Sequence, residues 1–165
     1  MSKAEELQFP EHLVNLLDST DEVSRLVEIH TQVAGTRRGK KGGVEVLNKS
    51  AIVLLVACWE SFVEELAITG FDYLLKHAKR VDIFPNKVLA LAAKNLRQSS
   101  DEMKVWKLAG SGWKQVLRNH RGRIVKKHTE PFNTPREANI NKLFESLLGL
   151  KRISKDWYWQ KAPRQ

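Results

Sequence analysis

Residues 47–66 read LNKSAIVLLVACWESFVEEL. Nine consecutive apolar residues, Ala51–Trp59, occupy the middle of this stretch. A helix that is apolar on every side is buried among other helices. The pattern therefore predicts a long helix over about Val44–Lys76 that forms the buried centre of a bundle. The apolar run is too short to cross a membrane, which takes about 20 such residues.

The remaining segments show apolar residues at helical spacing. The expected shorter helices are Pro10–Asp18, Thr20–Val33, Val88–Leu96, Trp113–Lys127 and Thr134–Gly149. In the last of these, Thr134 and Pro135 are suited to the first turn and Gly149 to the end. Neither a hairpin turn nor sustained alternation of apolar and polar residues favours a strand. The sequence predicts an all-α, compact bundle of about five to six helices in one domain, residues 1–165.

The composition excludes several classes of protein. The content of 42% hydrophobic and 28% charged residues is that of a soluble globular protein. Cys58 is the single cysteine, so neither an intrachain disulfide nor a cysteine-rich zinc site is available. The five histidines lack the spacing of a metal centre, so we expect no metal and no cofactor. The start at Met1 has no apolar leader, and we expect a cytoplasmic protein with no membrane partner.

Positive charge is concentrated in the second half of the chain. The net charge of +9 divides into −3 for residues 1–82 and +12 for residues 83–165. Such asymmetry points to a polyanionic partner such as a nucleic acid. The alternative, which the charge alone fits equally well, is a solvated helix face on a basic protein. The expected phosphate-binding residues are Arg37, Arg38, Lys40 and Lys41 in a basic loop over 36–43, and Lys114, Arg118, Arg121, Lys126 and Lys127 farther along.

An arginine and a histidine in this basic half could act on a phosphodiester. Arg123 and His128 are separated by four residues, and Arg121 and His128 by six. A guanidinium can hold the phosphate while an imidazole transfers a proton. The alternative is that these charges only bind phosphate or face solvent. Glu60, on an apolar helix face, is expected to pair structurally with an arginine or to orient the Arg123–His128 pair.

Two parts of the sequence resemble a known family. The first is residues 47–66. The second comprises Phe132-Asn133-Thr134-Pro135, Asn139-Ile140, Leu143-Phe144, Leu148-Gly149-Leu150, Ile153-Ser154 and Trp157-Tyr158-Trp159-Gln160. Together, over about residues 20–160, they resemble the bacterial RiboL-PSP-HEPN group of the HEPN superfamily.

The resemblance implies a helical bundle that is usually dimeric. It also implies a metal-independent endoribonuclease of a toxin–antitoxin, phage-defence or RNA-processing system. Its signature is an arginine followed, after four to six residues, by a histidine, and two copies meet to form one active site. A polar or acidic residue on an earlier helix supports the pair, and Glu60 is the matching position.

The sequence departs from this group in one respect. The group's Arg–His helix follows the Trp-x-Trp segment, whereas this sequence ends at Gln165, soon after Trp159. We therefore expect that this helix is missing or that Arg123 and His128 serve instead. A missing helix would expose an apolar groove, which a second copy or a partner protein would cover.

The first hypothesis is an RNA-binding HEPN-like domain with metal-free endoribonuclease activity. The alternative is a non-catalytic module that binds nucleic acid or an acidic protein. A third is a purely structural helical protein.

Overall fold

The structure is a computed structural model that describes residues 9–34, 45–128 and 136–157. Its α-helices are α1 (Glu11–Ala34), α2 (Glu45–His77), α3 (Asn86–Ala92), α4 (Lys94–Arg97), α5 (Gly112–His128) and α6 (Glu137–Leu148). Short 3₁₀ helices span Val81–Ile83, Glu102–Leu108 and Ile153–Asp156. These described residues contain no strand, which confirms the predicted all-α class.

The chain divides into two compact units, Met1–Glu65 and Leu66–Gln165. α2 contributes its first part to one unit and its second part to the other. The single domain over residues 1–165 stays a prediction. Several predicted features lie outside the described residues, namely the basic loop over 36–43 with Arg37, Arg38, Lys40 and Lys41, the helix-capping residues Thr134 and Pro135, and Trp159.

The predicted division of the first helical region into two helices is wrong, because α1 continues through Ser19-Thr20-Asp21. The hydroxyl of Thr20 donates to the carbonyl oxygen of Leu17 at 2.7 Å, and the hydroxyl of Ser24 donates to that of Thr20 at 3.0 Å. Hydroxyl side chains that bond back to the preceding turn remain inside a helix instead of capping a new one.

The predicted long helix is confirmed as α2, but its burial is distributed differently from the expectation. Ile52 and Val53, in the apolar run, are 64% and 68% exposed, whereas Ala67 and Phe71 are fully buried. The expectation that the run Ala51–Trp59 is the buried centre is therefore wrong for a single chain. α1 is the one described helix besides α2 in the first unit, so few side chains are available to cover that part.

The core of the second unit surrounds the last three turns of α2. Phe71 of α2 contacts Phe84, with ring centroids 5.5 Å apart. The helical spacing of the apolar residues of α6 predicts a stripe of Ile140, Leu143, Phe144, Leu147 and Leu148. The first four are buried, and Leu148 is partly exposed. α3 adds Val88 and Ala92, and α5 adds Leu117. Burial of each large apolar side chain contributes about 1.5–3 kcal/mol, so this cluster dominates the stability of the unit.

Gly149 ends α6 as predicted. Its φ of 72° is in the left-handed region, and a Cβ placed on it would lie 2.5 Å from Cγ of Pro85. Both the backbone conformation and this close approach require glycine. Pro85 is the N-cap residue of α3, so the contact joins the end of α6 to the start of α3.

Within the described ranges, no helix combines the length and the apolar character needed to cross a membrane.

Candidate functional site

The inner side of α5 fixes how this basic helix is rotated. Leu117 and His120 are 1% and 2% exposed. Nε2 of His120 lies 2.9 Å from the carbonyl oxygen of Ser146, in the last turn of α6. A carbonyl only accepts, so Nε2 carries the proton and donates. The last carbonyls of a helix have no partner within it, and His120 supplies one.

Burial lowers the pKa of His120, and the charge of Arg123 lowers it further, while the hydrogen bond to Ser146 acts in the opposite direction. The ring is therefore neutral at neutral pH, which suits a buried donor. The sequence offered His120 either as one of five scattered histidines or, with His128 eight positions later, as a metal ligand, and it gave no structural role for the residue. Its position three residues after Leu117 was the available sign that it faces the core.

With that rotation fixed, four side chains lie along one edge of α5, next to its buried side. At 3.6 residues per turn, positions separated by four, three and seven residues share a helix face. These residues, which we term the basic stripe, are Lys114, Arg118, Arg121 and His128. Arg121 and His128 are separated by about two full turns, or about 10 Å along the axis.

The geometry of α5 does not place Arg123 on the basic stripe. Arg123 and His128 are five positions apart in the sequence, which corresponds to a rotation of about 140° between them. Nη2 of Arg123 donates to the carbonyl oxygen of Ala92 at 3.3 Å, at the end of α3. Lys126 and Lys127 also lie away from the stripe. A catalytic role for Arg123 stays a prediction, and the helix geometry favours Arg121 as the partner of His128.

Asp72, which sequence analysis missed, holds Arg121 in place. Nη2 of Arg121 lies 2.9 Å from Oδ2 of Asp72 on α2, and both side chains are partly exposed. Nε of Arg121 is buried, with no hydrogen-bond partner among the described residues. An exposed ion pair contributes at most about 1 kcal/mol to stability, so its main effect is to orient the guanidinium. The sequence offered one sign of this ion pair, since Asp72 is an acidic residue that directly follows the apolar Phe71.

His128, at the end of α5, is suited to accept a proton. Burial lowers the pKa of its imidazole, and the charges of Lys142 and Lys127 lower it further. The neutral ring is therefore favoured at neutral pH. An imidazole in this form is a competent general base.

Glu60 is half-buried in α2 within the first unit, as the sequence predicts. The carboxyl four residues later, Glu64, has a raised pKa because of burial and, secondarily, the charge of Glu60. The expected ion pair between Glu60 and an arginine is not found in the described part of the chain. An orienting role for Glu60 stays a prediction.

The first unit also has a small pocket between α1 and α2. Its polar lining includes His12, Cys58 and Glu65. The ring of His12 lies against Phe62, with centroids 5.7 Å apart. Neither here nor elsewhere in the described ranges are three His, Cys, Asp or Glu side chains grouped so that they could hold a metal ion.

The family described as RiboL-PSP-HEPN matches residues 14–163, most of the chain. The chain therefore belongs to the RiboL-PSP-HEPN family, which confirms the resemblance seen in the sequence. Comparisons with curated proteins and with solved structures give no match.

We predict that the free energy of unfolding falls as the pH drops below about 6.5, where the histidines of an unfolded chain take up protons. Folded His120 resists protonation, because its pKa is lowered. The stability present above this pH is therefore lost as the pH falls toward the folded-state pKa. The loss reaches at most about 1.4 kcal/mol for this residue at one pH unit lower.

Urea unfolding at pH 7.5 and 5.5 measures this effect. The variant His120→Gln keeps an N–H donor for Ser146 but cannot ionise, so its stability should depend less on pH. Identical pH dependence in the two proteins would contradict the assigned role of His120.

Proposed function

We propose that this chain is a metal-independent endoribonuclease whose reacting side chains are Arg121 and His128. The observation that carries the proposal is the ion pair of 2.9 Å between Arg121 and Asp72, on the same side of α5 as His128. A guanidinium held by a carboxylate is preorganised and loses little freedom on binding a phosphate. The six residues between the two side chains fall within the four to six of the family signature, although the signature pair of the group follows the Trp-x-Trp segment and this pair precedes it.

The proposed reaction is attack of a ribose 2′ oxygen on the adjacent phosphate. His128 accepts the proton of the 2′-hydroxyl as the 2′ oxygen bonds to phosphorus. The bond from phosphorus to the 5′ oxygen breaks, and that oxygen takes a proton from solvent. The products are a 2′,3′-cyclic phosphate and a 5′-hydroxyl. Arg121 stabilises the negative charge that grows on the phosphate oxygens.

The basic stripe supports RNA as the substrate. Lys114 and Arg118 precede Arg121 on the same side of α5, where they would bind the phosphates of one strand. Membership of the RiboL-PSP-HEPN family supports a defence or toxin–antitoxin setting in the cytoplasm. The alternative is a binding module that holds RNA on the same stripe without cutting it.

Cleavage of mixed single-stranded and structured RNA in EDTA tests the proposal. Loss of a general acid or base costs about 10²- to 10⁴-fold in rate, so His128→Ala should lose nearly all activity. Arg121→Gln should lose a comparable amount. Arg123→Gln is the matched control, with the same charge change on another side of α5, and it should retain most activity.

Loss in Arg123→Gln with retention in Arg121→Gln would move the site to Arg123. Cleavage that survives His128→Ala would place the chemistry elsewhere. If the wild type does not cleave but binds RNA in a salt-sensitive way, the enzyme proposal fails and the binding module stands. Thermal melting of each variant shows whether its fold is intact.

We further propose that a second copy of the chain covers the apolar side of the first unit. Large apolar side chains are exposed on both of its helices, namely Val14 and Leu17 on α1 and Ile52, Val53, Leu55 and Val56 on α2. Monomeric proteins seldom expose contiguous apolar patches of this kind. The dimers usual in the HEPN superfamily favour a second copy over an unrelated partner.

Sedimentation velocity checks this prediction. The wild type should sediment as a dimer and Val53→Glu as a monomer, since a buried unpaired carboxylate opposes association. Ile83→Glu introduces the same change at an exposed apolar position of the second unit and should leave the dimer intact. A wild type that is monomeric at all concentrations tested would contradict the proposal.

A further inference from the structure

The 3₁₀ helix Glu102–Leu108, between α4 and α5, exposes an unusual set of side chains. Trp106 is 71% exposed, and Met103 is similarly exposed beside it. Tryptophan is seldom left in water to this extent, because burial of its large apolar surface is favourable. We term this element the Trp106 segment.

The Trp106 segment is held firmly at both ends. Oδ1 of Asp101 accepts a hydrogen bond from the backbone N–H of Met103 at 3.1 Å, which caps the start of the helix. Nζ of Lys104 donates to the hydroxyl of Ser99 at 2.9 Å. At the other end, a Cβ placed on Gly112 would lie 2.1 Å from the carbonyl oxygen of Lys107, so the segment packs directly against the start of α5. The exposed indole is therefore carried on a fixed support.

Lysines lie close to Trp106 in the sequence, both in the Trp106 segment and in the first turn of α5. Residues three apart share a side of a 3₁₀ helix, so Met103 and Trp106 form one column while Lys104 and Lys107 form the next. Lys114 lies in the first turn of α5, with Nζ 5.4 Å from the ring centroid of Trp113. That first turn carries no acidic residue, so its positive end is not neutralised.

We propose that Trp106 is a stacking platform for an unpaired base of single-stranded RNA, with Lys107 and Lys114 binding the neighbouring phosphates. An aromatic face stacks on every base, and adjacent cations track the backbone. This inference rests on the proposed function, because it takes RNA as the ligand, and it makes single-stranded RNA the substrate class.

The basic stripe connects this platform to the proposed catalytic pair. Lys114 is the first member of the stripe, and Arg121 follows about 10 Å farther along α5. A strand stacked on Trp106 can therefore follow one side of the helix to Arg121 and His128. An anionic lipid surface fits less well, because membrane-surface helices carry an apolar face along their length, and the outer side of α5 is polar and charged.

Binding of a short oligoadenylate with 2′-O-methyl riboses tests the inference. This probe cannot be cleaved, so binding is measured separately from catalysis, for example by fluorescence anisotropy. Trp106→Leu keeps an apolar side chain but removes the stacking face. It should weaken binding by roughly fivefold or more, and Trp106→Phe should restore most of the loss. Tyr73→Leu, a change at another exposed aromatic residue, should have no effect.

The slope of affinity against salt should be unchanged in Trp106→Leu, because no phosphate contact is removed, and smaller in Lys107→Gln. Binding of the same sequence as a duplex should not respond to Trp106→Leu.

Equal binding by wild type and Trp106→Leu would overturn the platform while leaving the proposed nuclease intact. Absence of RNA binding by the wild type at low salt would remove both proposals. Loss of binding to phosphatidylserine vesicles in Trp106→Leu, with RNA binding unaffected, would assign the segment to a lipid surface and overturn the inference.

Discussion

The rotation of α5 about its own axis is the constraint on which the candidate site depends. Leu117 and His120 are buried, and the hydrogen bond of 2.9 Å from His120 to Ser146 attaches α5 to the last turn of α6. α6 is itself anchored by its buried apolar stripe. With the rotation of α5 fixed in this way, the side on which each of its charged residues lies is fixed too. One side of α5 therefore carries Arg121 and His128 together.

The charged residues of α5 have different neighbours. Arg123 bonds to the carbonyl oxygen of Ala92 and thereby connects α5 with the end of α3. Arg121 is paired with Asp72, which orients its guanidinium beside the path proposed for RNA. His128 has a lowered pKa because of burial and the nearby charges of Lys142 and Lys127. The proposed function thus assigns structure, substrate binding and proton transfer to different residues of one short basic helix.

Much of the fold could be predicted from residue spacing, because apolar periodicity reports directly which elements are helices. The break expected at Thr20 failed because a hydroxyl can bond back into its own helix as well as cap a new one. The candidate site was harder to predict than the fold, because the number of residues between an arginine and a histidine does not show on which side of the helix each side chain lies. Leu117 and Ile124 mark the inner side of α5. Arg121 and His128 each follow one of them by four residues and therefore share a side of the helix, which favours Arg121 over Arg123 as the partner of His128. Asp72 could not be paired with Arg121 without tertiary structure.

The central claim, that one side of α5 contacts RNA, is tested most directly by two variants of equal net charge. One replaces Lys114, Arg118 and Arg121 with glutamine, and the other replaces Arg123, Lys126 and Lys127. The affinity for single-stranded RNA is then measured against salt concentration. The account predicts that the first variant lowers the slope by about two, since each phosphate contact contributes about 0.7, while the second leaves it nearly unchanged. Equal losses in both variants would show that net charge alone attracts RNA and would contradict the account.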